Sequence, residues 1–542
     1  MRKHVLQLLS GLAILTCSAL AFPQLTPQAK PQSQLAWNTV ANNGMMMPGS
    51  SAKFNSYNQP SINVNGTVVF RARSKGGSGA TQVHGIYLYT PGKSSSGQLA
   101  VVFDKNSLVP PPNNNNVTFI EFPSFPRIDQ LTASIVTRGA SQPVLTYLLG
   151  DGTETRIGTS GVYVERSGQS TKGTLTAASQ LGGVPGYSLY QVPGTDAGTK
   201  FDQFPGAPSI SSDLVVFKGN YTTLALESKT GIYYRDIAAT NGLSPVERIA
   251  DTSTYIPGTS IPFGATAPPS AALGRTVFTG WDNEVSPTVG GIFLATITAD
   301  PNLTALVSIG DQVPGEAEGT GFTNFGESLG FDGHYVVFWG AWGTETKAIH
   351  LTCPVDGNKD VITYCLGQYP DGFDTTVPLH QGIFVLDTLA KQSSDHLWAL
   401  AKTPGDFDDF VYWVFSGKVP GTEGSKDGEP ARWRSSSFAG ISAGKKDFRV
   451  VFKAKTYGAD STLDGIYTVL GPTASTITPV IRVGDKVADL NIDPGAPAGL
   501  EVVSIGLERD GYRGAWLALN AGMLNAVTGD SWAGVYVTNL KP

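Results

Sequence analysis

An all-β chain built of repeats is what the sequence predicts, on three observations. The first is composition: of 542 residues, 64 are Gly and 35 are Pro, and runs of helical period are hard to find. Such a chain forms short strands broken by turns. The second is a third-strand word that occurs seven times: Gly85-Ile86-Tyr87, Gly161-Val162-Tyr163, Gly231-Ile232-Tyr233, Gly291-Ile292-Phe293, Gly382-Ile383-Phe384, Gly465-Ile466-Tyr467 and Gly534-Val535-Tyr536. The third is a second-strand word ahead of each, ending at Phe70, Thr137, Phe217, Phe278, Phe338 and Phe452, with a degenerate form around Leu517.

Each unit holds four β-rich segments, and the units recur at intervals of about 60 to 90 residues. Four antiparallel strands repeated seven times describe a seven-bladed β-propeller of four-stranded antiparallel blades. A lone blade leaves both faces apolar and needs a neighbour on each side, so the ring is stable only when closed. The last unit ends after its third-strand word, whereas the N-terminal LAWNTVANNG resembles the outer-strand words TALVSIGD and LWALAKTPGD. Leu35 to Ala41 is therefore expected to pair with Val535 to Leu540 and complete the last blade. The Gly of the third-strand word is expected to admit a close backbone approach or an unusual φ, and its aromatic to pack between blades.

In chain order, Arg2 and Lys3, the apolar run Val5 to Leu15 and Ala19-Leu20-Ala21 read as a secretory signal over 1–21, cleaved before Phe22. Residues 22–34 read as a linker, and 35–542 as a single propeller domain. A secreted, extracellular protein follows. Removing the signal leaves Cys353 and Cys365, whose even count predicts a disulfide contributing about 3 kcal/mol by loop entropy. Asn65, Asn116, Asn220 and Asn302 each begin an N-x-Ser/Thr sequon, the acceptor of a glycoprotein.

The repeated text, with Gly310-Asp311 and Pro314-Gly315, Pro60-Ser61-Ile62, Asn65-Gly66, Val68-Val69-Phe70 and Gly85-Ile86-Tyr87, resembles a group of secreted tandem-repeat β-propeller proteins. The resemblance runs from Leu35 to the C-terminus. It implies the fold and an extracellular setting, with no settled activity.

A net charge of −6 with 15% charged residues lacks the basic excess that phosphate neutralisation needs, which argues against a nucleic-acid partner. No membrane span is expected in the mature chain, which is taken as a monomer. Loops from second to third strand, and from outer strand to the next inner strand, gather on one face, where function is to be sought. There the residue after each second-strand word is Arg71, Arg138, Lys218, Thr279, Trp339, Lys453 and Leu519 in turn, with Arg73 and Lys455 nearby and Trp281 and Trp342 across the ring. Cations beside aromatic rings suit an anionic sugar polymer, a polysaccharide or other extracellular glycan, as the partner. The competing reading has the cations covering blade surface and the tryptophans packed between blades.

The leading functional expectation is an acidic-polysaccharide lyase acting by β-elimination, in which Arg71, Arg138 and Lys218 hold the carboxylate. His84, Tyr147 or Tyr457 would take the α-proton, with His380 and Tyr221 in comparable loops. Its rival is a non-catalytic binding, adhesion or scaffolding propeller, because the fold does not choose between them. A two-carboxylate hydrolase ranks third, since Glu and Asp are sparse in these loops. Gly440-Ile441-Ser442-Ala443-Gly444 spells a nucleophile elbow but falls in an inner-strand segment, where no helix follows. Asp356-Gly357-Asn358-Lys359-Asp360 opens like a calcium loop, yet Val361 and Gly367 stand where glycine and a bidentate Glu are required. Asp406, Asp408 and Asp409 read as a solvated acidic turn. No cofactor or metal site is expected, and calcium is the one ion these stretches could take.

Overall fold

The computed structural model describes residues 35–540 except 77–81, 93–96, 113–114, 144, 149–151, 153, 169–171, 179–188, 239–243, 356–358, 391–395, 419–428, 446, 458–461 and 473–475. The secretory segment and linker read from 1–34 lie outside them. The strands form seven antiparallel sheets, each one blade, and two extra two-stranded hairpins, Leu145–Leu148 with Glu154–Ile157 and Tyr412–Lys418 with Glu429–Ser436. In blade one the inner strand is split into Phe54–Tyr57 and Ser61–Ile62, followed by Val68–Ser74, His84–Thr90 and the outer Gln98–Asp104. The split recurs in every blade but the sixth, whose inner strand is Ala439–Ala443.

The third-strand word has a physical cause. In all seven blades the outer strand carries a bulge beside it, between Ile86 and Tyr87, Val162 and Tyr163, Ile232 and Tyr233, Ile292 and Phe293, Ile383 and Phe384, and Ile466 and Tyr467. In blade seven it falls between Thr39 and Ala41. The bulge drives the outer backbone against the glycine: a Cβ on Gly85 would run into the Phe103 carbonyl, and one on Gly291 into that of Val307. Close approach, and not a positive φ, is the reason for glycine here.

Beside each glycine the apolar residue and the aromatic point to opposite faces of the blade. Ile86 packs toward blade two with Phe119 and Ile135, whereas Tyr87 packs toward blade seven with Ala518 and Val535. The same alternation builds one buried apolar slab at each of the seven junctions. The core is thus seven layers between blades, and each layer needs both neighbours. Within it, Tyr87, Tyr163, Tyr233, Phe293 and Phe384 stand edge-on to a phenylalanine on or just before the inner strand, with ring centroids 4.8 to 5.1 Å apart.

The ring closes as expected. Trp37–Asn42 pairs antiparallel with Ser531–Asn539, from Trp37 opposite Thr538 to Asn42 opposite Gly534. Asp493, only 5% exposed, secures the seam: its carboxylate accepts from Asn42 Nδ2 (3.0 Å), Trp532 Nε1 (2.9 Å) and Tyr536 Oη (3.0 Å). Around the axis the second halves of the inner strands touch in order, from Ser61–Ile62 through Arg127–Ile128, Ser209–Ser211, Ser270–Ala272, Gly330–Phe331, Ala439–Ala443 and Tyr512–Arg513 back to the first.

The channel holds a cluster of buried charge. Arg127 of blade two pairs with Glu508 and Asp510 of blade seven, and Arg513 pairs with Asp510 while donating to the Phe331 carbonyl of blade five. Arg509 reaches across the axis to the carbonyls of Pro268 and Pro269 in blade four. Among the described residues no helix is long and apolar enough to cross a membrane.

Candidate functional site

The second-to-third-strand loops, and the loops from outer strand to next inner strand, lie at the same end of the blades, because the second strand ends, and the third begins, where the inner strand starts. In blade one Ser74 lies opposite Phe54, and Arg73 opposite both Ser56 and His84. The residue after the second-strand word points at the following blade, beside Ile86 in the case of Arg71. There the inner strand bends between its two halves and leaves carbonyls without a ladder partner, which a neighbour must satisfy. Arg71 donates to the Phe122 carbonyl, Arg138 Nη1 to that of Gly206 (3.4 Å) and Thr279 Oγ1 to that of Gly326 (2.8 Å). These side chains are interblade clips. In blade seven the position belongs to Asn520, opposite Val535, and not to Leu519, which lies opposite Tyr536 as Phe70 lies opposite Tyr87. The degenerate second-strand word shifted that reading by one.

Arg71, Arg73 and His84 come together at the junction of blades one and two, around a carboxylate that sequence reasoning missed. Glu121, from the inner strand of blade two, accepts from Arg73 Nη2 at 3.0 and 2.9 Å and lies 3.5 Å from Arg71 Nη1. Burial pushes the Glu121 carboxyl up, but Arg73, Arg71 and His84 outweigh it and hold the group below its usual range. Arg71 also donates to Asn58 Oδ1 at 3.0 Å, and burial lowers its pKa to about 10. His84 is 4% exposed, and its Nε2–H donates to the Ile120 carbonyl at 2.9 Å. Its Nδ1 has no hydrogen-bond partner among the described residues and sits 3.8 Å from Glu121. Burial foremost, helped by Arg73 and Lys105, depresses the His84 pKa to about 4 against the pull of Glu121. The ring is neutral at pH 7.

The remaining candidates do not join them. Lys453 and Lys455 stand over the Tyr412 ring at 3.9 and 4.4 Å, with Lys453 Nζ 3.0 Å from Asp464 and Lys455 Nζ donating to the Val411 carbonyl at 2.7 Å. Burial lowers both lysine pKa values. Lys218 holds the ladder position opposite Ile232. Trp281, Trp339 and Trp342 are buried and form no exposed wall: Trp339 Nε1 donates to Gln381 Oε1, and Trp342 lies between His380 and Lys402. His380 bonds Glu345 at 2.9 Å. Tyr147 lies opposite Thr155 and Tyr457 opposite Thr462, and their side chains fall outside the described residues. Tyr221 is buried beside Phe201 in blade three.

Ser442 of the elbow-like stretch lies on an inner strand and accepts from Gly514 N. Asp409 is 1% exposed, so the turn read as solvated is in part buried, with Asp409 caught by Lys347 and Val411 N. The calcium-like stretch begins outside the described residues. The Cys353–Cys365 disulfide forms, with Cα atoms 5.8 Å apart. It ties the helix Lys359–Gln368 into the long hairpin Tyr335–Leu351 and Phe373–Asp387, and Phe415 and Trp433 pack on it. Among the described residues no three metal-ligating side chains gather.

No protein-family model matches the sequence, and no curated protein matches it. Solved structures similar to this chain include the β-propeller domain of the Trilobed protease from Pyrococcus furiosus, at 9% identity over 91% of this chain and 97% of that one, with a TM-score of 0.35. A subtype N10 neuraminidase-like protein of A/little yellow-shouldered bat/Guatemala/060/2010 matches at 8% identity over 81% of this chain and 99% of that one, with a TM-score of 0.28. A GH62 α-L-arabinofuranosidase catalytic domain from Coprinopsis cinerea matches at 8% identity over 65% and 95%, with a TM-score of 0.23.

Proposed function

We propose that this is an extracellular carbohydrate-binding propeller that holds an acidic polysaccharide at the junction of blades one and two without cleaving it. The observation that supports it is the surplus of cation there. Arg71 and Arg73 share the single carboxylate of Glu121, and Lys105 adds its charge beside His84. Arg73 and Glu121 keep 28% and 29% of their side chains exposed. A uronate or sulfate takes the open edge of the Arg73 guanidinium, and sugar hydroxyls donate to Glu121. β-Elimination asks more: a base that reaches the α-proton. His84 lies behind the pair, and its low pKa makes it a poor proton acceptor. Retardation of the protein in gels containing pectate or alginate tests the reading. Arg73→Ala is expected to abolish retardation with circular dichroism unchanged, and equal retardation of the variant overturns the site.

A lyase is the second reading, favoured by one observation, the uncommitted Nδ1 lone pair of His84 facing the same junction. It requires ultraviolet absorbance of an unsaturated product to grow on incubation with a uronic-acid polymer and to vanish in His84→Gln. No absorbance over a broad panel removes it.

A further inference from the structure

The charged cluster in the channel draws on blades two and seven. Arg127, Glu508, Arg509, Asp510 and Arg513 are each 2 to 3% exposed. The largest charges acting on Arg509 are Arg127, Asp510, Glu508 and Arg513, so within this cluster three guanidiniums face two carboxylates. The cluster carries a surplus of one positive charge. Arg509 keeps its proton at neutral pH even though burial lowers its pKa to about 9. An uncompensated ion excluded from water is among the costliest things a fold can hold, and one removed from solvent is normally paired. Two donors are also left over: the Nε–H groups of Arg127 and Arg509 are buried without a hydrogen-bond partner among the described residues. Both guanidiniums approach the same oxygen, Glu508 Oε1, which Arg127 contacts directly and which lies 4.0 Å from Arg509 Nε. They are therefore neighbours beside Glu508.

We propose that a small monovalent anion, chloride in ordinary salt, sits on the channel axis, accepts from Arg127 Nε and Arg509 Nε and cancels the surplus charge. The near-complete burial selects against a sugar acid or a phosphate ester and for a single-atom ion. A water molecule could accept the two hydrogen bonds but would leave the charge. Bound inside a ring that exists only when closed, the anion binds the folded state alone, so stability must rise with its concentration.

Two measurements decide it. Crystals soaked in sodium bromide are expected to show an anomalous peak within hydrogen-bond reach of both Nε atoms, and a water or no peak there overturns the proposal. In solution, protein refolded in sodium chloride is expected to melt at a higher Tm than protein refolded in sodium gluconate at equal ionic strength, and equal Tm values overturn it. Arg509→Met removes the surplus charge and is expected to erase the chloride dependence, whereas a dependence retained in that variant counts against the site. Should Arg509→Met fail to fold, the bromide map of the unaltered protein decides alone.

Discussion

His84 shows how one buried side chain sets a pH response. Its pKa falls from 6.5 to about 4 on folding, so the unfolded chain holds the proton more tightly. The stabilisation is complete above pH 6.5 and is lost as pH falls toward 4, by up to about 3 kcal/mol. Urea midpoints measured across that interval are expected to fall in the unaltered protein. In His84→Gln, whose amide nitrogen can still donate to Ile120, they are expected to stay flatter. A second residue-scale expectation concerns Glu121→Gln, which leaves Arg71 and Arg73 without their counter-ion. Tighter retention of acidic glycan is expected, together with a further drop in the His84 pKa readable by NMR titration. At this scale the sequence told part of the truth. Arg71, Arg73 and His84 were legible as neighbours because they share one hairpin. Glu121 was not, because it arrives from the next blade and no local pattern marks a contact across a junction.

The strand word Gly-Ile-Tyr is a packing device of the whole element. Gly85→Ala forces a Cβ against the bulged outer strand and is expected to cost about 1–3 kcal/mol in chemical denaturation. Gly173→Ala, whose added carbon meets only Val164 at 3.7 Å, is expected to be close to neutral and serves as the control. Repeats made these strands legible, since seven copies average away local noise, and only the degenerate copy around Leu517 slipped in register. The long hairpin and its helix had no repeat to betray them. Their staple should act locally. Replacing Cys353 and Cys365 by Ser is expected to remove about 3 kcal/mol of protection from amide exchange in Lys359–Gln368 and leave the blade amides unchanged.

For the molecule as a whole, stability rests on closure. Asn42, Trp532 and Tyr536 converge on Asp493, so Asp493→Ala strands two buried donors and one half-buried donor at the seam. A loss of about 3–5 kcal/mol in urea unfolding is expected, with blade seven fraying first by hydrogen exchange. Closure was legible in the similarity of the N-terminal strand to the outer-strand words. The contents of the channel were not, because Arg127 and the Glu508–Arg513 stretch lie more than three hundred residues apart in sequence and meet only once the circle is complete.

Trp37 lies directly opposite Thr538, at the end where the third strand leads into the outer strand in the other blades. A brief linker from Leu540 to Leu35 would turn blade seven into an ordinary meander, after which the gene could start at a loop between any two other blades. Such permuted chains should reach the same architecture from many starting points, with the seam moved to a junction of the experimenter's choosing.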